Sequence, residues 1–178
     1  MNLWHDISIG RNAPEEFNCI IEIPKGSHNK YEIDKETGLI KLDRANFGPA
    51  AFPYDYGFIP QTLWEDGDAL DVILLATFPI HPGILVHARP VALMEMTDSG
   101  ESDYKIIAVP VEDRRWEDIN DLEDLNKHSL REYSNFVETI KQLKHKPAVI
   151  TVHGYKGKKE ALETIKRAQK LYSEKFGK

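Results

Sequence analysis

The sequence predicts an α+β fold, in which a closed or nearly closed β-barrel has helices packed on its outside. The first two-thirds of the chain contain many short strand-like segments separated by glycine and proline, a series typical of barrels. The last third instead carries apolar residues at helical spacing. No repeat, low-complexity tract or Gly/Ser-rich linker divides the 178 residues, so we expect one domain over residues 1–178.

The predicted strands begin at residues 17–23, where four apolar residues occupy alternate positions and Pro24 follows. Alternation of this kind is the pattern of a strand with one buried face. Segments 31–34 and 39–43 predict a hairpin, because a Thr-Gly pair between them supplies the turn. Further strands are predicted at 70–76, 84–96 and 105–111.

Two helices are predicted in the last third of the chain. The first would carry apolar residues at Leu130, Tyr133, Val137, Ile140 and Leu143. The second would carry them at Leu162, Ile165, Ala168 and Tyr172. A short strand is predicted between the helices, at 148–152. The apolar stripes of both helices are expected to pack against the barrel.

The charge and the cysteine content of the chain limit the classes of partner and the cellular compartment that we expect for it. The formal net charge is −6, so the chain gains little from counterion release and nucleic-acid binding is disfavoured. Cys19 is the only cysteine, which favours a reducing cytoplasm. Residues 1–11 are polar and lack a signal-peptide pattern, and the longest apolar runs are too short for a bilayer. We expect a cytoplasmic protein without membrane contact.

The most informative segment is an aspartate-rich turn that leads directly into an apolar strand. Asp66, Asp68 and Asp71 fall within six residues, and Gly67 permits a tight bend between the first two. Such a turn can direct three carboxylates into one cleft, and hard cations such as Mg²⁺ prefer oxygen ligands. A solvated acidic turn is the alternative interpretation. An EF-hand fits poorly, because Leu70 occupies a ligand position and no glutamate closes the loop.

A second acidic group and several cations occupy similar positions at strand ends. Asp98 and Asp103 flank another glycine-containing turn, which alone predicts only a hairpin loop. Lys30 and Glu32 share one face of a predicted strand, and Arg44 ends the next one. An arginine binds phosphate oxygens in a bidentate manner. Together these groups are consistent with a multi-metal site that acts on phosphates.

These motifs resemble, in order along nearly the whole chain, those of the soluble family I inorganic pyrophosphatases of bacterial type. The matching segments are Ile21-Glu22-Ile23-Pro24, Lys30-Tyr31-Glu32-Ile33-Asp34, Leu42-Asp43-Arg44, Pro53-Tyr54-Asp55-Tyr56-Gly57-Phe58-Ile59-Pro60, Asp66-Gly67-Asp68-Ala69-Leu70-Asp71, Met96-Thr97-Asp98 and Asp103-Tyr104-Lys105. The resemblance implies an OB-like five-stranded β-barrel with flanking helices, assembled as a homohexamer. It also implies hydrolysis of pyrophosphate to two phosphates by water that several Mg²⁺ ions activate.

The resemblance further implies a role for each site residue. The implied metal-site residues are Asp66, Asp71, Asp98, Asp103, Glu22 and Glu32. The implied pyrophosphate ligands are Lys30, Arg44, Tyr56 and Lys141, with Lys105 beside them. Asp68 would be the general base. No protein nucleophile is needed, and the seven histidines are scattered without a zinc-binding motif.

Three positions depart from the family pattern, and two other functions remain open. Ala69 stands where proline is usual, while Phe52 and Ile140 stand where tyrosines are common. A missing hydroxyl at residue 140 would remove a hydrogen bond to phosphate. One alternative is therefore a relative that binds phosphate compounds without hydrolysing them. The other is an OB-like module for single-stranded nucleic acid, whose support is a Gly-Tyr-Lys-Gly segment at 154–157 that is otherwise a solvated turn.

Overall fold

The computed structural model describes residues 1–177, which form nine strands and two helices, with two short 3₁₀ turns before the first helix. The strands are β1 Phe17–Ile23, β2 Asn29–Ile33, β3 Ile40–Ala45, β4 Asp55–Phe58, β5 Asp71–Leu74, β6 Leu85–Asp98, β7 Glu101–Ser102, β8 Lys105–Pro110 and β9 Ile150–Gly157. The helices are α1 Lys127–Thr139 and α2 Lys158–Phe176.

Five of the strands close into a ring in the order β1-β4-β5-β8-β6, with β6 returning to β1. Every neighbouring pair in the ring is antiparallel except β5 and β8, which run parallel. The fourteen-residue β6 is long enough to pair with β1 near its start and with β8 and β9 further along. The predicted α+β architecture of an OB-like barrel with flanking helices is confirmed.

The ring buries apolar side chains on both faces, and the two resulting clusters include residues of different helices. Val72 and Leu74 of β5 belong to a cluster that includes Ile165 of α2. The residue between them, Ile73, faces the opposite way and packs in a cluster with Phe136 of α1. The strand predicted at 17–23 is confirmed, but burial on both faces replaces the single buried face that its alternation predicted.

The β2–β3 hairpin forms a separate two-stranded sheet beside the ring. Its strands lie close to the predicted segments, and Gly38 adopts a positive φ of 73° in the turn. The Ile33 N–H donates a hydrogen bond of 2.7 Å to Glu22 Oε1 on β1. This hydrogen bond joins the hairpin to the ring. Lys30 and Arg44 of the hairpin belong to the site described below.

Two predictions near the C-terminal third are wrong. The first helix ends at Thr139 and turns follow it, so Leu143 is 71% exposed instead of facing the core. Residues 154–157, expected as a turn or a clamping loop, belong to β9 and pair with β6. Gly154 adopts a φ of 149° where the strand pairing shifts by one residue, whereas Gly157 pairs with Ala92. Within residues 1–177, neither helix is long and apolar enough to cross a bilayer.

Candidate active site

The first acidic turn is closed by its own backbone. The Trp64 N–H donates to the Asp68 carbonyl oxygen at 2.7 Å, and the Gly67 N–H donates to the Trp64 carbonyl oxygen at 3.1 Å. Gly67 has a φ of 88°, which a residue without a side chain adopts readily. The Asp68 N–H donates to Asp66 Oδ1 at 3.0 Å. The turn therefore fixes its aspartates just before β5 begins at Asp71.

The parallel pairing of β5 and β8 brings the second acidic turn to the same place. Asp71 and Lys105 are the first residues of these strands and lie opposite one another in the register. Neighbouring parallel strands start at the same edge of a sheet, so Asp103, two residues before Lys105, lies beside Asp71. The Asp103 N–H donates to the Met96 carbonyl oxygen at 3.0 Å, which closes the turn that leaves β6.

Lys105 lies at the centre of the site and is only 5% exposed. Its Nζ donates to Asp71 Oδ2 at 2.9 Å, Asp103 Oδ1 at 2.9 Å and the Tyr56 hydroxyl at 2.8 Å. Tyr56 in turn donates to Asp71 Oδ2 at 2.5 Å. Burial alone would lower the pKa of Lys105, but Asp103 and Asp71 hold it well above its usual value. Lys105 is therefore a permanent cation between two carboxylates.

Most of the predicted site residues line one cavity of about 450 Å³. They are Lys30, Arg44, Tyr56, Asp66, Asp68, Asp71, Asp98, Asp103, Lys105 and Lys141, and the positions Phe52 and Ile140 line it as well. Glu22 and Glu32 lie outside this set and line an adjoining cavity of about 410 Å³. The two cavities share Lys30, Tyr56, Asp68 and Asp71. Residues that are far apart in the sequence therefore line two adjoining cavities in the folded protein.

The cations at the edge of this space are each paired with a carboxylate. Lys141 Nζ lies 2.5 Å from Asp98 Oδ2. On the hairpin, Asp43 Oδ2 accepts from Lys30 Nζ at 3.1 Å and from Arg44 Nη1 at 2.5 Å. Sequence analysis gave Asp43 no role, although the hairpin pairs Lys30 with Arg44 across its strands and so places both cations beside it.

Asp68 differs from the other aspartates of the site in its surroundings. Its side chain is 55% exposed and forms an ion pair with Lys35, from the turn of the β2–β3 hairpin. Sequence analysis did not identify Lys35, because the hairpin turn and the acidic turn are separated by about thirty residues of chain. Asp68 is therefore accessible to small molecules that enter the cavity.

Burial of several carboxyl groups raises their pKa values. Burial and the charge of Asp71 raise the pKa of Glu22 to about 8. Burial raises the pKa of Asp66 to about 6, with contributions from Asp71 and Asp103. Burial also raises the pKa of Asp71, although Lys105 opposes the shift. Each of these three carboxyl groups therefore holds its proton to a higher pH than a solvated carboxyl group does.

Without bound metal, the free energy of unfolding is expected to fall as pH rises from about 5 to about 8. Glu22 has a pKa of about 8 in the folded protein and about 4.3 in an unfolded chain. Between these values the folded state holds a proton that the unfolded state releases. The resulting stability is fully present below the unfolded pKa and is lost as pH rises through the folded one. Urea denaturation in EDTA at several pH values measures the slope.

Glu22→Gln is the matched control for this pH dependence. Glutamine keeps an oxygen acceptor for the Ile33 N–H but does not titrate. The slope is expected to become shallower in this variant. An identical slope in both proteins would assign the pH dependence to groups other than Glu22.

The carboxylates fit a hard divalent cation by their chemistry. The six predicted metal-site residues all offer carboxylate oxygens, the ligands that Mg²⁺ prefers. The pKa values of Glu22, Asp66 and Asp71 are raised, so added positive charge would stabilise the ionised forms of these three carboxyl groups. Among residues 1–177, no three acidic, histidine or cysteine side chains are already grouped as ligands of one ion. The ammonium group of Lys105 instead bridges Asp71 and Asp103.

A five-stranded ring with carboxylates, lysines and an arginine around one cavity is typical of enzymes that transfer phosphoryl groups with the help of metal ions. Comparison with known proteins identifies the particular family. The family model for inorganic pyrophosphatase matches residues 19–173, and the chain belongs to that family. Hydrolysis of pyrophosphate is the function of the family, and membership implies a metal cofactor.

Individual relatives support this assignment over nearly the full chain. The inorganic pyrophosphatase of Haloferax volcanii is 45% identical over 176 residues, which cover 99% of each chain. A soluble inorganic pyrophosphatase of Oryza sativa subsp. indica is 43% identical over 95% of this chain and 78% of the relative. The crystal structure of inorganic pyrophosphatase from Thermus thermophilus matches with a TM-score of 0.94 and 42% identity, over 97% of this chain and 99% of that one. The resemblance found in the sequence is confirmed.

Proposed function

We propose that this chain hydrolyses pyrophosphate to two phosphates with several Mg²⁺ ions in each active site. One observation carries the proposal: buried Lys105 bridges the half-buried Asp71 and Asp103 at the centre of a cavity whose edge holds further cations and carboxylates. Pyrophosphate is a small polyanion, and its hydrolysis requires positioning and neutralisation of charge more than covalent chemistry from the protein.

The metal ions would be held by the carboxylates of the two acidic turns. The proposed ligands are Asp66, Asp71, Asp98 and Asp103, with Glu22 and Glu32 adding negative charge from the adjoining cavity. Bound Mg²⁺ would neutralise phosphate oxygens and lower the pKa of the attacking water. Asp71 and Asp103 each form an ion pair with Lys105 at 2.9 Å, which places the two carboxylates side by side at the floor of the cavity.

The basic groups and Tyr56 would bind pyrophosphate. Arg44 presents a planar guanidinium that can contact two phosphate oxygens at once, whereas Lys30 and Lys141 act as point charges. Asp43 forms ion pairs with Lys30 and Arg44, and Glu32 also pairs with Lys30 at 2.8 Å. Asp98 forms an ion pair with Lys141. The cations are therefore positioned at the cavity before the substrate arrives, and Lys105 and Tyr56 supply donors at its floor.

Asp68 would accept the proton of the attacking water. It is the most accessible member of its turn, and its backbone is fixed by hydrogen bonds to Trp64 and Asp66. A general base must reach the water and end the step protonated, which suits an exposed carboxylate more than a buried metal ligand. The two alternative functions have less support. The 154–157 segment is a strand instead of a nucleic-acid clamp, and family membership favours hydrolysis over binding alone.

Three further properties are part of the proposal. Resemblance to the bacterial pyrophosphatases supports a homo-oligomer, specifically a homohexamer. The absence of a linker in the sequence supports a single domain over 1–178. Cys19, a buried free thiol, suits the reducing cytoplasm.

Removal of metal is expected to abolish phosphate release from pyrophosphate. Phosphate release would be measured with Mg²⁺, with excess EDTA, and with EDTA followed by excess Mg²⁺. We expect activity in the first and third conditions and a loss of at least about 100-fold in the second, because the lysines and the arginine alone would not neutralise the substrate or activate the water. Mg²⁺ is also expected to raise the melting temperature, since binding to the folded state stabilises it.

Sodium chloride at matched ionic strength is the control for nonspecific salt effects. Full activity in excess EDTA would contradict the metal-dependent mechanism. Binding of pyrophosphate without phosphate release would instead favour the binding-only alternative.

A further inference from the structure

Trp64 joins the two acidic turns, which are far apart in the sequence. Its backbone N–H and carbonyl group close the first turn through Asp68 and Gly67. Its indole N–H donates to Ser102 Oγ at 3.2 Å. The indole ring stacks on Tyr104 with a centroid separation of 5.4 Å and an interplanar angle of 30°. Trp64 therefore contacts the residue on each side of Asp103.

Trp64 is also fixed from the outside by α2. It is only 3% exposed, and Arg167 of α2 lies over its ring at 5.0 Å from the ring centroid. Arg167 forms an ion pair with Glu65, the residue that follows Trp64. The Leu63 N–H donates to the Ala168 carbonyl oxygen of α2 at 3.0 Å. The indole is thus enclosed between a helix and the second turn and has little freedom to move.

We propose that Trp64 is a positioning residue that sets the separation of the two acidic turns and, through it, the affinity for metal. The inference rests on the metal role proposed above for Asp66, Asp71 and Asp103. Carboxylates from both turns must approach one ion together, and Mg²⁺ tolerates little departure from its preferred geometry. A rigid link between the turns reduces the reorganisation that binding requires.

Isothermal titration with Mg²⁺ in the absence of substrate tests this role. Trp64→Phe keeps an aromatic ring but removes the indole N–H, and Ser102→Ala removes the acceptor. Each is expected to raise the Mg²⁺ Kd by about 3- to 10-fold, the value of one hydrogen bond. The Mg²⁺ Kd of the double variant is expected to be no higher than that of the single variant with the higher Kd, because both changes remove the same contact. Ser102→Thr retains a hydroxyl and is expected to keep the original Kd.

Trp4→Phe is the matched control. Trp4 is also buried, and its indole N–H donates to the Thr62 carbonyl oxygen at 2.8 Å, but this bond does not reach the second turn. Trp4→Phe is expected to lower the melting temperature without changing the Mg²⁺ Kd. If Trp64→Phe does not fold, Ser102→Ala and Ser102→Thr still make the comparison.

Several outcomes would overturn the proposal. An unchanged Mg²⁺ Kd in Trp64→Phe and Ser102→Ala, or an equal increase in Trp4→Phe, would show that Trp64 only packs in the core and does not position the two turns. If the effects of Trp64→Phe and Ser102→Ala on the free energy of Mg²⁺ binding add in the double variant, the two residues do not act through one shared hydrogen bond. If the unaltered protein binds no Mg²⁺, the proposed metal-dependent function fails together with this inference. Normal binding with insensitive variants would overturn this inference alone.

Discussion

Replacing Asp68 by asparagine is expected to lower kcat by roughly 10²- to 10⁴-fold, the range typical for loss of a general base. Asparagine keeps the shape of the side chain and can still hold a water molecule, but it cannot accept the proton. Because the proton is transferred in the transition state, KM for pyrophosphate is expected to stay nearly unchanged. Asp68 is also half-exposed, and its ion pair is with Lys35 of the hairpin turn, so the substitution leaves the contacts of Lys105 with Asp71 and Asp103 intact.

Asp71→Asn is the comparison variant, because it distinguishes loss of a metal ligand from loss of the general base. Asp71 contacts Lys105 and Tyr56 at the floor of the cavity and is a proposed metal ligand. Its replacement is expected to weaken Mg²⁺ binding as well as the rate. Titration with Mg²⁺ alongside steady-state kinetics separates the two behaviours. If Asp68→Asn loses metal affinity as severely as Asp71→Asn, then Asp68 is a ligand and another group is the base.

Replacing Gly57 by alanine is expected to destabilise the fold by about 3 kcal/mol or more, because the new methyl group has no space. Gly57 lies on β4 opposite Ile21 of β1. A Cβ atom at this position would lie 2.0 Å from the Ile20 carbonyl oxygen and 3.0 Å from Ile21 Cα. These are backbone atoms, so they can move away only if the junction between β1 and β4 opens. Domains are stabilised by only about 5–15 kcal/mol in total.

Gly48→Ala is the control for the general effect of adding a methyl group. The nearest atom to a Cβ at Gly48 is Leu143 Cδ1 at 3.4 Å, at the end of an exposed and flexible side chain. Its free energy of unfolding is expected to change by less than about 1 kcal/mol. Urea denaturation of both variants measures the difference. Similar midpoints for the two would show that the ring relaxes around residue 57 at little cost.

Motifs in the sequence predicted the members of the candidate site better than they predicted its contacts. Asp66, Asp71 and Asp103 lie in short segments whose glycines mark turns before apolar strands, and these signals are local. The bridge that Lys105 makes between Asp71 and Asp103 depends on the parallel pairing of β5 with β8. Likewise, the bond from Trp64 to Ser102 spans 38 residues of sequence. Contacts of this range leave no periodic pattern in the chain.

The errors in the fold prediction have similar physical causes. The strand β4 has four residues, one of them a glycine, and is too short for its alternation to be recognised. Glycine usually marks a turn, which concealed the end of β9 at 154–157. Leu143 continues the helical spacing of α1, but the helix ends at Thr139 and leaves that side chain in solvent.

The site is formed by two parts of the structure, the separate β2–β3 sheet and the closed ring. We expect these two parts to differ in the free energy of local unfolding. Lys30 and Arg44 belong to the hairpin, whereas Asp71 and Lys105 belong to the closed ring. A two-stranded sheet has little stability of its own, so its amide protons exchange through smaller fluctuations than those of the ring. We therefore expect Lys30 and Arg44 to move relative to Asp71 and Lys105 when the hairpin opens locally, while the ring stays folded. A polyanion held between them would slow this motion, and release of the products would restore it.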